Sequence, residues 1–137
     1  MRFMMLMIPK GYEKAEPGKM PDPKAVEAMT KYNESLEKAG VLISGEGLHP
    51  PSMGARISFS GGKPKVTAGP FPDTKETLGG YWMIRVKSKE EAVEWAAKCP
   101  ASDKEIIEIR QVQEEYEFEG MEKPESKNFA EMEMKAR

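Results

Sequence analysis

The first half of the chain carries a hydrophobic pattern that predicts a strand and then a helix. Residues 3–8 are continuously apolar, which predicts a strand that is central in a sheet or covered on both faces. Asp22 and Pro23 mark a helix start, because the carboxylate can cap the helix and proline suits its first position. Gly40 ends this helix. Its inward face is predicted from helical spacing at Val26, Met29, Tyr32 or Asn33, Leu36 and Ala39.

The rest of the chain contains the remaining strands and a second helix. Gly61 and Gly62 predict a tight hairpin turn. Ser88 is followed three residues later by Glu91, a capping box that opens the second helix. The predicted strands are residues 41–48, 55–60, 64–67, 81–86 and 105–112.

This order of elements predicts an α+β fold of the ferredoxin-like class. With the β-hairpin treated as an insertion the chain reads βαββαβ, an antiparallel sheet with two helices on one face. The other sheet face would expose apolar residues, and such a face usually packs against a partner. We therefore expect a homodimer through the sheet face. The predicted boundaries are one domain over residues 1–116 and a charged C-terminal tail over residues 117–137.

Composition and charge narrow the class of protein. At 137 residues the chain is long enough for one domain with a sizeable core. Its 21 Lys and Arg residues nearly balance 23 Asp and Glu residues, which argues against a nucleic-acid partner bound through a basic face. A single cysteine excludes an internal disulfide and fits a reducing, cytoplasmic location. The apolar N-terminal run is too short to span a membrane, so no membrane partner is predicted.

Several separated motifs surround a loop in which two prolines bracket Phe71. They are Gly-Glu-Gly-Leu-His-Pro-Pro at 45–51, Val-Thr-Ala-Gly-Pro-Phe at 66–71, Asp-Thr-Lys-Glu at 73–76, Leu-Gly-Gly-Tyr at 78–81 and Glu-Ala-Val-Glu-Trp-Ala at 91–96. In this order they resemble the signature of the DGPF family within the YCII-related group, over about residues 3–112. Ala68 departs from the pattern, because it stands where the family has its namesake aspartate.

The resemblance implies a ferredoxin-like homodimer of the dimeric α/β-barrel type. Ferredoxin-like relatives of this group include lactone-processing enzymes, which by analogy implies chemistry on a small organic molecule. With Ala68 in place of the family acid, another carboxylate would have to supply any negative charge that the site needs.

His49 is the single histidine, between a glycine-rich turn and two prolines. Imidazole titrates near neutrality, so His49 is a candidate general acid or base, with Asp73 as its catalytic partner. The alternative is a loop residue that fills space against the prolines. Glutamine looks equally acceptable in the family at this place, which weakens a shared mechanism of proton transfer.

The other candidate residues lie in the same motifs. Asp73, Lys75 and Glu76 supply two carboxylates and an ammonium group, and a solvated loop is the alternative interpretation. We expect residues 45–49 and 70–81 to form one cleft, because polar residues on glycine- and proline-fixed backbone preorganise a site. Substrate-binding roles are predicted for Glu46, Phe71, Lys75, Glu76 and Tyr81.

No cofactor and no metal are predicted. The chain has no phosphate-cradling glycine loop, nucleophile elbow or dinucleotide fingerprint. Cys99 lies at a helix end without a neighbouring His or Cys, so we expect a structural thiol. The 11 methionines are expected to fill the core, because they lack the clustered spacing of thioether metal sites.

Two functions remain open at this point. The first is a small dimeric enzyme that acts on a small polar or cyclic organic molecule by proton transfer, as a lyase or isomerase does. The second is a non-catalytic small-molecule-binding or regulatory protein that uses the same cleft. The His49 ring discriminates between them. Hydrogen-bond contact with Asp73 or Glu46 in a concave pocket favours the enzyme, and exposure to solvent favours binding.

Overall fold

Residues Arg2–Ile8 form β1, one of the two inner strands of a four-stranded sheet in the computed structural model, which describes residues 1–118. The other strands are β2 (Leu42–Gly47), β3 (Ala55–Ser60), β4 (Lys63–Ala68), β5 (Gly80–Arg85) and β6 (Ile106–Gln111). The helices are α1 (Pro23–Lys38) and α2 (Lys89–Ala97), and short 3₁₀ helices occur at Tyr12–Lys14, Pro51–Met53 and Glu115–Phe118.

The main sheet has the strand order β2–β5–β1–β6, and every pairing in it is antiparallel. β1 is paired on both sides, and β2 and β6 are the two edges. The structure is therefore α+β, and this order with two helices is consistent with the ferredoxin-like class.

The two faces of the main sheet have different environments. Residues of one face are buried against both helices and form the core. Cross-strand partners share a face, so the register assigns each strand residue to one side. The core includes Phe3, Met5, Met7, Trp82 and Ile84 from the strands and Tyr32, Leu36 and Ala92 from the helices. The opposite side, which we call the open face, carries the half-buried residues Met4, Leu6, Tyr81 and Met83.

Both helices begin where the sequence predicts. The Asp22 carboxylate accepts a hydrogen bond from the Lys24 amide at 3.1 Å. Ser88 Oγ accepts one from the Glu91 amide, also at 3.1 Å. These caps satisfy amides that have no partner within the helix.

The helices pack on the sheet through a shorter stretch of α1 than its spacing predicts. Val26, predicted on the inward face, is 47% exposed, whereas Tyr32 and Leu36 are buried. The Tyr32 hydroxyl donates to the Trp95 carbonyl at 2.8 Å and so ties α1 to α2. Within residues 1–118, neither helix is long and apolar enough to cross a membrane.

Strands β3 and β4 form an antiparallel hairpin outside the main sheet. Gly61 and Gly62 have φ angles of 58° and 77°, as a two-residue hairpin turn requires. On one face of this hairpin Ile57 pairs with Val66, with Phe59 beside them, and their exposed fractions are 59%, 68% and 76% respectively. The described residues therefore leave an apolar hairpin face uncovered.

The segment after β6 does not continue as a strand, although the alternation of residues 114–118 would allow it. In the 3₁₀ helix Glu115–Phe118, the Glu117 amide donates to the Glu114 carbonyl at 3.0 Å. The Glu117 carboxylate in turn accepts from the Glu114 amide at 2.9 Å. These local bonds compete with pairing to a neighbouring strand. Residues 119–137, most of the predicted tail, lie outside the described residues.

An ion pair joins β1 to this C-terminal segment. Arg2 Nε and Nη2 donate to the two carboxylate oxygens of Glu114 at 2.7 and 3.0 Å. The two side chains are only 16% and 20% exposed. The hydrogen bond from Arg2 is the main cause that lowers the pKa of Glu114 below its ordinary value.

We expect Glu114→Gln to lower the free energy of unfolding by about 1–2 kcal/mol at neutral pH, because a bidentate charge-assisted pair is lost. The pKa of Glu114 is lower in the folded protein than in the unfolded chain. The contribution of Glu114 to the free energy of unfolding is therefore complete above its pKa in the unfolded chain, about 4.3. It disappears as the pH falls through the lower pKa of the folded protein. Urea denaturation of both proteins at neutral and acidic pH measures the difference.

Glu27→Gln is the matched control, because Glu27 and its partner Lys31 are 68% and 72% exposed on α1, away from the open face. Exposed pairs contribute about 0–1 kcal/mol. The stabilising role of the Arg2–Glu114 pair would be contradicted if both variants lost the same free energy of unfolding. It would also be contradicted if Glu114→Gln destabilised the protein equally at acidic pH.

Candidate functional site

A cavity of about 440 Å³ lies between α1 and the sheet edge formed by β2 and β5. This volume is within the range of about 300–1,000 Å³ that small-molecule sites occupy. We call it the α1–β2 cavity. Its lining residues are Met29, Asn33 and Glu37 from α1, and Met7, Leu42, Gly45, Glu46, Gly47, Gly79, Gly80, Tyr81 and Trp82 from the sheet side.

Two of the lining glycines are required by packing. A Cβ at Gly80 would lie 2.8 Å from the Glu46 carbonyl oxygen, and one at Gly79 would lie 2.5 Å from Pro9 Cγ. Both distances are shorter than van der Waals contact, so a side chain at either position would force the backbone or the proline ring to move.

The glycines of β2 differ from each other. A Cβ at Gly45 would lie 3.2 Å from Trp82 Cδ1, which is tight. A Cβ at Gly47 would meet no atom within 4 Å, and φ at Gly47 is not positive. Gly47 therefore adjoins open space, and neither packing at the Cβ position nor a positive φ requires glycine there.

The α1 side of the cavity is one line of residues. Met29, Asn33 and Glu37 are four residues apart and so lie above one another along the helix. Trp82 Nε1 donates to Asn33 Oδ1 at 2.8 Å, and the Tyr32 ring contacts Trp82 edge-on with centroids 5.7 Å apart. Because the indole N–H can only donate, the Asn33 oxygen faces it. Within residues 1–118 no acceptor is bonded to the Asn33 NH₂ group, which remains a donor for a ligand.

Hydrogen bonds hold the loops together at one end of the cavity. The Tyr12 hydroxyl donates to the Leu48 carbonyl. The Leu48 amide donates to the Gly79 carbonyl at 2.9 Å, and the Gly79 amide donates to the Met7 carbonyl at 2.8 Å. Burial raises the pKa of Tyr12, so its hydroxyl is protonated and able to donate at neutral pH. This network fixes β1, β2 and the loop before β5 relative to one another.

Of the predicted site residues, Glu46 and Tyr81 border this cavity. They are cross-strand partners, and alternation along β5 puts them on the side opposite Trp82. Their main chain therefore lines the cavity, whereas their side chains project from the open face of the sheet.

His49 and Phe71 lie in a second, more open hollow of about 260 Å³. His49 is exposed and takes no part in the ion pairs found among residues 1–118. The Arg56 guanidinium, absent from the predicted set, lies 4.2 Å from the Phe71 ring centroid in a cation–π contact. The hollow is lined by Leu48, His49, Pro50, Pro51, Met53, Gly54, Ala55, Arg56, Phe71 and Leu78.

The charged loop residues lie apart from both hollows. Asp73, Lys75 and Glu76 are exposed and line neither of them. Within the described part of the chain, no hydrogen bond or ion pair joins Asp73 to His49. The predicted residues are therefore divided between two hollows and a solvated loop, and their catalytic and binding roles remain predictions.

Cys99 is half-buried near the end of α2. Burial, reinforced by the nearby Glu105 carboxylate, raises the pKa of the Cys99 thiol to about 11. The thiol is therefore protonated and weakly nucleophilic at neutral pH, as expected of a structural cysteine. Across residues 1–118, no three His, Cys, Asp or Glu side chains come together as metal ligands.

Sequence reasoning missed Asn33 and Glu37 as site residues. A signal was present in their spacing from Met29 and in the alternate glycines Gly45 and Gly47. The helical spacing and the alternate glycines each describe one wall of the cavity. Neither pattern shows that α1 lies over β2, so the two walls could not be combined from sequence.

The fold and the cavity define a small α+β protein with a concave site between a helix and a sheet edge. Comparison with protein families matches the YCII-related domain over residues 1–116. The chain belongs to the YCII-related family. No curated protein matches the chain. The finer resemblance to the DGPF family remains a prediction.

We expect Gly69→Ala to destabilise the protein by about 2 kcal/mol or more, because the new Cβ would lie 1.8 Å from the Pro51 carbonyl oxygen in the wall of the His49 hollow. Gly47→Ala is the matched control, since its Cβ meets nothing within 4 Å, and we expect a change below about 1 kcal/mol. Thermal and urea unfolding measure both. A Gly69→Ala protein as stable as the wild type would contradict this packing.

Proposed function

We propose that this YCII-related protein binds a small organic molecule in the α1–β2 cavity. The observation that carries the proposal is the open space of about 440 Å³ beside Gly47, next to an indole ring and an amide that are already fixed in place. An apolar wall with a few placed polar groups is the usual composition of a ligand site.

Preorganisation supports this proposal. Trp82 is 7% exposed and is held by the Asn33 oxygen and the Tyr32 ring. A ligand that enters the cavity therefore meets side chains that need little further ordering, which reduces the entropic cost of binding.

Binding without catalysis is better supported than proton transfer. A general acid or base must come within about 2.6–3.2 Å of the proton that it moves. His49 is exposed in the other hollow, so it is poorly placed for a ligand in the α1–β2 cavity. Asn33 and Trp82, the fixed polar groups of the cavity, do not transfer protons at neutral pH. Glu37 could accept a proton, but it is exposed at the rim, and no side chain within residues 1–118 orients it.

We further propose that residues 1–116 form a homodimer through the open face of the sheet. Met4 and Met83 are cross-strand partners in the middle of that face, and Leu6 lies beside them. A cluster of apolar side chains at the centre of an uncovered sheet face is typical of an interface.

We expect aromatic fragments such as indole to shift the Trp82 indole N–H signal in ¹H–¹⁵N spectra, because Trp82 lines the cavity. The Trp95 indole, which does not line it, is an internal reference. Gly47→Val should weaken fragment binding at least tenfold by filling the space, while the fold is retained because a Cβ at this position would meet no atom within 4 Å.

Ser44→Val is the matched control for this experiment. It adds an apolar side chain to the same strand but on the open face, opposite Met83. We expect fragment binding to persist in this variant. Weakening in both variants, or in neither, would contradict the α1–β2 cavity as the binding site.

We expect light scattering at micromolar concentration to give the mass of a dimer, and Met83→Glu to give a monomer, because a charge at the centre of the interface is costly to bury. Phe59→Glu is the control on the hairpin and should remain dimeric, since Phe59 is 76% exposed there. A monomeric wild type would refute the dimer, and dissociation by Phe59→Glu alone would refute the sheet face as its interface.

A further inference from the structure

We infer that the ligand of the α1–β2 cavity is a small organic amine, with an apolar body against Trp82 and a protonated amino group at Glu37. This inference rests on the proposed binding function and adds the chemical class of the ligand. It follows from the negative charge of Glu37 and from the order of the apolar, amide and acidic side chains along α1.

Among the 12 residues that line the cavity, none is Lys, Arg or His. Glu37 contributes its carboxylate from α1, whereas the Glu46 side chain projects from the open face. Within residues 1–118, Glu37 belongs to no ion pair. An anionic ligand would therefore enter a negative field with no cation to receive it, whereas a cation would be attracted.

The groups along α1 change from apolar to charged in one direction. Met29 and Asn33 are half-buried, and Glu37 is exposed at the rim. Each step of four residues advances about 6 Å along the helix axis. A ring that packs on Trp82 at the level of Asn33 is therefore one such step from Glu37. An aminoethyl chain on that ring can direct its amino group towards the Glu37 carboxylate.

The helix adds to this preference. α1 ends at Lys38, so the Glu37 end of the cavity is the C-terminal end of the helix, which carries partial negative charge. Lys38 follows Glu37 directly, but it lies about 100° further round the helix and is not among the lining residues. A site for a phosphate group usually combines a helix N-terminus with basic side chains. The α1–β2 cavity has the opposite end of its helix and no basic lining residue.

Three probes of similar shape test this inference: 2-phenylethylamine, 2-phenylethanol and 3-phenylpropanoate, which are cationic, neutral and anionic at neutral pH. Dissociation constants are measured from the Trp82 indole N–H shift at low salt. We expect the amine to bind roughly fivefold more tightly than the alcohol, and the carboxylate to bind most weakly. Added salt should weaken the binding of the amine and leave that of the alcohol nearly unchanged.

Two variants test whether Glu37 causes the preference for the amine over the alcohol. Glu37→Gln should reduce the preference for the amine to less than about twofold, because the charge is removed and the shape is kept. Glu34→Gln is the matched control, an exposed acid on the same helix that does not line the cavity, and it should keep the preference. Both substitutions are on the exposed surface of α1, and circular dichroism verifies that the helix is retained.

The outcomes separate this inference from the proposed function. If all three probes bind equally, or the carboxylate binds best, and Gly47→Val still abolishes binding, the amine class is wrong and the cavity remains the site. If Gly47→Val has no effect on any probe, both the amine class and the cavity are wrong. A preference for the amine that Glu34→Gln removes and Glu37→Gln keeps also overturns the inference.

Discussion

The close approach of the β2 and β5 main chains at glycines is the constraint on which the site depends. Gly80 lies against the Glu46 carbonyl, and Gly79 lies against Pro9, in spaces too small for a side chain. The loop before β5 can therefore reach both β1 and β2 and exchange hydrogen bonds with them. The missing side chains also leave the helix side of this sheet edge unfilled, so a cavity lies between α1 and β2. The glycines at the start of β5 thus allow the close pairing of β2 with β5 and also leave the space of the cavity.

The parts of the fold that could be predicted from sequence are those with signals a few residues long. Asp22 and Ser88 cap the helices through amides two and three residues away, and the alternation of Trp82 with its neighbours on β5 fixes their faces. Residues 114–118 show the limit of such signals. Their alternation is compatible with a strand, but Glu117 bonds to the backbone of its own segment, and that competition is not visible in the pattern of polar and apolar residues.

The site was harder to predict than the fold, because side-chain direction depends on tertiary structure. Glu46 and His49 are three residues apart and belong to one motif, yet β2 ends between them at Gly47. Strand alternation directs Glu46 to the open face, while His49 follows the chain into the hollow of Phe71. Asn33 belongs to no motif and lines the cavity only because α1 lies beside β2 and β5 in the fold. Proximity in sequence therefore joined residues that the fold separates.

Packing does not require glycine at position 47, whereas the proposed ligand site does. Glycine in a strand costs about 0.5–1 kcal/mol relative to alanine, and at this position no neighbouring atom requires it. Stability alone would favour a larger residue, so the feature that glycine preserves here is the open volume beside Trp82. Met7 and Met29 line that volume, and their flexible thioether chains can adapt to different apolar shapes. If this cavity binds a ligand as proposed, its fixed polar groups and adaptable walls would select ligands by their polar group more strictly than by the outline of their apolar part.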